Sequence, residues 1–277
     1  MTPIRRLPVA RAAEQRYSAE RDGVSLADAE MMFVHATGFC KETWLPVVAA
    51  IEETHPSPNA VLVDQRGHGH NAPHPGPFDW HSVAMDIVEL LERTNKPVVG
   101  VGHSSGGAAL ARAEILRPGS FSRLVLVEPI IFPGPYERRD IPLAIGAERR
   151  KRSFASREAA RSRFASGPFV SWDPRVLDLY LDHGFRPTSD GWTLRCLPEV
   201  EAEVFRQGSN VDTWDRLGGI RCPVTVVVGQ NSDSHQQPYV NLLLEQFTDS
   251  GLVVLDGLSH LAPMEDPVRI ARVIVGE

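Results

Sequence analysis

The chain has 277 residues, 29 Lys and Arg against 35 Asp and Glu, and a formal charge of −6. That length supports one large domain or two small ones with a sizeable core, and the mild acidic excess argues against a general nucleic-acid binder. Three cysteines (Cys40, Cys196 and Cys222) without CxxC spacing exclude a disulfide framework, and no run approaches a signal peptide or the ~18 apolar residues of a membrane helix, so a soluble, cytoplasmic protein is expected.

In chain order, short continuous apolar runs read as buried parallel strands: residues 31–35, 60–64, 97–101, 124–128, 223–228 and 252–255. Amphipathic helical stretches separate most of them, at 43–53, 80–93, 108–117, 238–247 and 267–275. This alternation predicts an α/β fold, a mostly parallel central sheet flanked by helices. It stops between Pro129 and Leu217. Helical pieces at 147–164, 174–183 and 198–207 predict an all-helical lid over 130–216. The core is then 1–129 together with 217–277.

One stretch carries chemistry. Gly102-His103-Ser104-Ser105-Gly106 fits G-x-S-x-G directly after a strand and before a helix, the context that motif requires. The chain reverses so sharply there that small residues are needed two before and two after the nucleophile. Centring on Ser105 would put His103 where the first glycine belongs, so Ser104 is the candidate nucleophile. A phosphate-binding helix start explains less: the P-loop lysine is absent, and G-x-G-x-x-G would need glycine at position 105.

In order along the chain, four features resemble the α/β-hydrolase fold superfamily over nearly the whole length. His35-Ala36-Thr37-Gly38-Phe39 follows the first core strand, where that family carries its oxyanion loop. Asp64-Gln65-Arg66-Gly67-His68-Gly69-His70-Asn71 resembles its DxRGxGxS turn, with Asn71 in place of serine. The elbow is the third feature. Gly257-Leu258-Ser259-His260, followed by Pro263 and Glu265, resembles its terminal GxxH loop. The usual N-terminal hairpin is compressed here around Asp22-Gly23.

The resemblance implies a Ser-His-acid triad. A serine hydroxyl needs a base within reach, and His260 follows the last strand, at the sheet edge where Ser104 lies. His68, His70 and His74 are read as a solvent-facing turn rather than metal ligands, and His103 as packed inside the elbow. Two carboxylates qualify as the acid. Asp233 follows the strand 223–228, where most members carry it, but the commoner spacing lands on Ser232. Glu128 ends the strand 124–128, a position that a minority use. A charge there is costly unless paired, which favours Glu128 slightly and leaves Asp233 open. The oxyanion hole is implied at the backbone N–H groups of Thr37 and Ser105, with Phe39 as the fallback.

Trp172, Tyr180, Phe185, Trp192 and Phe205 in the lid suggest an apolar or aromatic small-molecule pocket, though lid core is the commoner use of such residues. Arg149, Arg150, Lys151, Arg152, Arg157, Arg161 and Arg163 read as a solvated basic helix face. Together these features predict a serine hydrolase acting on a carboxylic ester or lactone, with no cofactor, metal, nucleic acid or membrane involved. Serine at the elbow counts against dehalogenase or epoxide hydrolase chemistry. The alternatives are C–C or thioester hydrolysis, or a ligand-binding receptor on the same fold.

Overall fold

The computed structural model describes residues 25–56, 58–167, 169–208 and 211–277; the Asp22-Gly23 hairpin position lies outside them. The strands are β1 (Met31–Val34), β2 (Ala60–Val63), β3 (Val98–His103), β4 (Phe121–Val127), β5 (Ser153–Phe154), β6 (Phe185–Thr188), β7 (Gly191–Leu194), β8 (Val224–Gly229) and β9 (Ser250–Leu255). The helices are α1 (Leu45–Thr54), α2 (Trp80–Leu91), α3 (Ser105–Leu116), α4 (Pro142–Glu148), α5 (Arg157–Ala165), α6 (Pro174–His183), α7 (Pro198–Arg206), α8 (Thr213–Arg216), α9 (Tyr239–Leu244), α10 (Ala262–Glu265) and α11 (Pro267–Val275).

Six strands pair in the order β2-β1-β3-β4-β8-β9, every pair parallel. The continuous apolar runs follow from burial on both faces. In β4, Leu124 and Leu126 enter one apolar cluster with Val83, Ile87 and Leu110 of α2 and α3. Val125 and Val127 enter the other, with Val47 and Ile51 of α1 and Ile270 and Ile274 of α11. Asp266 caps α11 by accepting the Arg269 N–H, and Gly276 ends it at φ 88°. The strand order reverses direction between β1 and β3, and a crevice for ligands opens at the carboxyl ends flanking such a switch.

The region between β4 and β8 is not all-helical as expected. Its helices α4 to α7 accompany a three-stranded antiparallel sheet, β5-β7-β6. The predicted 147–164 helix is split: β5 intervenes, and Ser156 starts α5 afresh by accepting the Ala159 N–H. Strands β6 and β7 form a hairpin around Ser189-Asp190-Gly191, with Gly191 at φ 121°. Asp-Gly is a strong hairpin signal, and Pro187 is tolerated because β6 lies at the edge of its sheet. Short strands with mixed polarity gave no apolar run to detect.

Candidate active site

The elbow is built from the backbone outward. Ser104 sits between the last residue of β3 and the first of α3, at φ 54° and ψ −116°. A side chain at positive φ is strained and persists only where the surroundings enforce it. Here the Ser104 N–H donates to Val127 O at 2.8 Å, while Ser104 O accepts from Ala108 and Ile130. Both flanking glycines are sterically required. A Cβ on Gly102 would stand 2.6 Å from the Gly107 Cα, and one on Gly106 would strike the Val34 carbonyl. These contacts explain why the motif centres on Ser104.

His260 reaches this serine from the loop after β9. Its Nε2 lies 3.2 Å from Ser104 Oγ and its Nδ1 3.0 Å from Glu128 Oε2. The His260 carbonyl accepts from His103 Nε2 at 2.8 Å. His103 is buried in the elbow as expected. Burial, with His260 beside it, pushes its value down to about 3, so the ring is a neutral donor. Glu265, two residues after Pro263, shapes the same loop by accepting the Ser259 N–H and hydroxyl at 2.7 and 2.8 Å.

Of the two candidate acids, the structure brings Glu128 to His260. Ser104 and Glu128 are the two non-glycine residues at positive φ among the described residues, and they follow the registered pair His103 and Val127 on adjacent strands. The Glu128 side chain is fully buried. Its Oε1 accepts the Gly229 N–H at 2.7 Å, and its Oε2 accepts the Ser232 hydroxyl at 2.6 Å. Burial opposes ionisation, but hydrogen bonds from His235, His260 and Ser232 prevail and hold the carboxyl well below the usual carboxylate range. Asp233 is exposed in the loop after β8. Ser232, standing where the commoner spacing puts an acid, turns its hydroxyl onto Glu128 instead.

The loop after β1 supplies the remaining face. The Gly38 N–H donates to His68 Nε2 at 2.9 Å, and the Phe39 N–H donates to Ala36 O at 3.3 Å. Phe39 is therefore committed elsewhere. Among the described residues no acceptor is found for the Thr37 and Ser105 N–H groups. His68 is not solvent-facing as expected but fully buried. Its Nδ1–H donates to Arg66 O at 3.0 Å, and burial, with His35 nearby, pushes its value down to about 3. It stays a neutral acceptor for Gly38. The Gln65 amide bonds both the His35 carbonyl and Ser105 Oγ, joining this loop to the elbow. Sequence reasoning missed His68 and Gln65 because their role lies in cross-chain hydrogen bonds that no spacing encodes.

The insertion meets the same loop. Arg150 donates to Glu201 Oε2 at 2.7 Å and to the Tyr180 hydroxyl at 2.5 Å, and that hydroxyl donates to Gly38 O at 3.3 Å. Arg150 is thus partly buried and paired rather than part of a solvated basic face, and residues 149–152 are not helical. Arg157 and Arg161 pair with Asp178 on α6. Trp172, Tyr180 and Phe185 are buried with Phe39 and Phe164 in one aromatic cluster, the core of the insertion rather than a substrate wall.

Two groupings have ligand-like spacing, Glu128/His235/His260 and Glu42/His70/His183. In the first, His260 Nδ1 hydrogen-bonds the carboxylate at 3.0 Å, and His235 Nδ1 lies 2.7 Å from the same oxygen. In the second, the Lys41 ammonium lies 2.6 Å from Glu42 Oε1 and 3.0 Å from His70 Nδ1, and so already supplies the cation. Among the described residues no helix is long and apolar enough to cross a membrane.

Known proteins share this arrangement of strands. Over 217 residues the chain is 37% identical to the abhydrolase domain-containing protein AFT2-1 of Alternaria alternata, covering 65% of this chain and 82% of that one. A shorter match, 33% over 144 residues, links it to the type I acyl-CoA thioesterase mpaH of Penicillium roqueforti, covering 48% of this chain and 32% of that protein. The peroxisomal alpha-beta-hydrolase Lpx1 of Saccharomyces cerevisiae superposes with a TM-score of 0.76 at 22% identity, over 92% of this chain and 77% of that one. With a model of the alpha/beta hydrolase family matching residues 31–273, nearly the whole described chain, the protein belongs to that family.

Proposed function

We propose that the protein is a serine hydrolase that cleaves a carboxylic ester or lactone through an acyl-enzyme. The observation that carries this reading is the hydrogen-bonded line Glu128 Oε2, His260, Ser104 Oγ, at 3.0 and 3.2 Å. With Nδ1–H donating to Glu128, His260 presents its Nε2 lone pair to the Ser104 hydroxyl. Ser104 Oγ attacks the carbonyl carbon as its proton passes to Nε2. The imidazolium then protonates the leaving alkoxide, the carbonyl re-forms, and a water deprotonated by His260 hydrolyses the acyl-serine. The Thr37 and Ser105 N–H groups would hold the developing oxyanion, and the insertion would act as the lid over Ser104.

A thioester substrate is the second reading, favoured by the similarity to the acyl-CoA thioesterase; the same residues would serve. Hydrolysis of p-nitrophenyl esters and acyl-CoA thioesters, alongside fluorophosphonate labelling, separates the readings. Ser104→Ala should abolish labelling and lower kcat by on the order of 10⁶, while Ser105→Ala should keep labelling because its N–H survives. Label found on Ser105 in a peptide map would overturn the assignment. Ligand binding with no turnover of either substrate class would point to a receptor.

A further inference from the structure

The two N–H groups assigned to the oxyanion, those of Thr37 and Ser105, come from different segments of the chain. Thr37 lies in the loop after β1, and Ser105 starts α3. Among the described residues, no backbone hydrogen bond joins residues 36–38 to Ser105. One buried side chain spans the gap. Gln65, in the loop after β2, donates through its amide nitrogen to the His35 carbonyl and to Ser105 Oγ, the latter at 3.1 Å.

From this geometry we infer that Gln65 is a positioning residue for the oxyanion hole. It sets the separation of the Thr37 and Ser105 N–H groups by holding both of their segments through one planar amide. The inference rests on the serine hydrolase reaction proposed above.

The orientation of the amide is fixed by chemistry. A carbonyl oxygen offers only lone pairs, so the His35 carbonyl must face the NH₂ end of Gln65. That end has two N–H groups, and the second meets Ser105 Oγ. The backbone of Gln65 is held as firmly. Its N–H donates to His35 Nε2 at 3.1 Å, while His35 Nδ1–H donates to Ala36 O at 2.7 Å. Those two bonds need a neutral imidazole, and burial pushes His35 below its ordinary value. Asp64, the residue before, accepts the Lys41 and His70 N–H groups at 2.8 and 2.9 Å, so Gln65 extends from an anchored turn.

That turn grips Thr37 on both sides. Two residues before it, the His35 carbonyl accepts from the Gln65 amide; one residue after it, the Gly38 N–H donates to His68 Nε2 at 2.9 Å. The Phe39 N–H closes the bend on Ala36 O at 3.3 Å, with Gly38 at φ 86°. The loop also rests on the elbow: a Cβ on Gly106 would stand 2.6 Å from the His35 oxygen. On the other side, Ser105 Oγ hangs from the same Cα as the N–H that must meet the oxyanion. His68 holds the Thr37 loop, whereas Gln65 holds loop and elbow together. Donors serving one oxyanion must all lie about 2.7–3.1 Å from it, so their separation has to be fixed before the charge develops.

The test uses the full chain and a trifluoromethyl ketone. Ser104 Oγ adds to its carbonyl carbon, the carbonyl π pair moves to oxygen, and the serine proton passes to His260. With the ketone carbon ¹³C-labelled, NMR reads the pH at which the adduct oxygen ionises. Gln65→Leu keeps the bulk and removes both donors. It should raise that pH by about one to two units. It should also lower kcat for a p-nitrophenyl ester by about 10²-fold, with KM within about threefold. An unchanged ionisation in the folded variant overturns the inference, however far its Tm falls. Ser105→Ala severs one arm of the clamp. It should still label with fluorophosphonate but lose about tenfold in kcat, and adding it to Gln65→Leu should cost nothing further; an additive loss overturns the shared role. Where Gln65→Leu does not fold, Ser105→Ala decides, and unchanged kcat and ionisation in it overturn the inference. Wild type that forms no adduct and hydrolyses no ester refutes the hydrolase reading itself. A normal wild type with indifferent variants refutes the role of Gln65 alone.

Discussion

The carboxyl edge of the parallel sheet and the insertion above it both concentrate charge, but they hold it differently. At the sheet edge the backbone does the placing. Ser104 and Glu128 follow residues paired in register on β3 and β4, and each adopts positive φ. His260 joins them from the loop after β9, held by a His103 side chain that belongs to the elbow. In the insertion, Arg150 from the loop after α4, Tyr180 from α6 and Glu201 from α7 converge only through side chains. The edge is therefore robust in position and sensitive in chemistry. The insertion is the reverse: its substitutions should alter stability and loop placement before they alter the reacting groups.

The largest effect that sharpens this comparison concerns the acid. Removing an orienting carboxylate leaves nucleophile and base in place but favours the wrong tautomer, at a cost of about 10⁴ in kcat. Glu128→Gln should lose about that factor, whereas Asp233→Asn should lose about tenfold or less. Steady-state ester hydrolysis checks both, and a larger loss in the Asp233 variant would move the acid to the other loop.

An intermediate effect is expected in the insertion. Glu201→Gln takes the charge partner from Arg150, whose side chain is 18% exposed. Breaking such a partly buried pair should lower unfolding stability by about 2 kcal/mol, below the range for fully buried ones. It should reduce kcat/KM by about tenfold through the Tyr180 bond to Gly38, with Ser104 still labelled at saturating fluorophosphonate. Denaturant melts and labelling kinetics measure the two parts. A loss of labelling comparable to that of Ser104→Ala would break the distinction between the regions.

The smallest effect is a pH slope. His68 has its folded value pushed down to about 3 from an ordinary 6.5, so folding favours its neutral form. Its contribution to stability is complete above about 6.5 and is lost as pH falls from there towards 3. Protonation also takes the acceptor from the Gly38 N–H. Thermal melts between pH 7 and 4 should show Tm falling on acidification, and His68→Gln, which offers a non-titrating acceptor, should show a shallower slope. Equal slopes would remove His68 from the acid response.

Much of the fold was legible in the sequence because a parallel strand buried on both faces must be continuously apolar. All six core runs became strands, within a few residues at either end. The elbow was legible for a steric reason, since Gly102 and Gly106 leave no room for a Cβ. The insertion was less so. Strands β5 to β7 are two to four residues long, and lie in a small sheet whose polarity pattern is mixed; the Asp190-Gly191 turn was the one local signal.

The sequence by itself determined the strand–turn–helix reversal at Ser104 and the position of His260 after the last strand, because each depends on local steric and apolar patterning. Which carboxylate meets His260 was decided only by the tertiary structure. Glu128 and Asp233 both follow core strands, and the cost of an unpaired charge at the end of an apolar strand ranks Glu128 only slightly ahead. The choice comes from the pairing of β4 with β8, which sets the Gly229 N–H, Ser232 and His235 around Glu128. Donors brought from a neighbouring strand and its loop make a buried charge tolerable there, and leave Asp233 facing solvent.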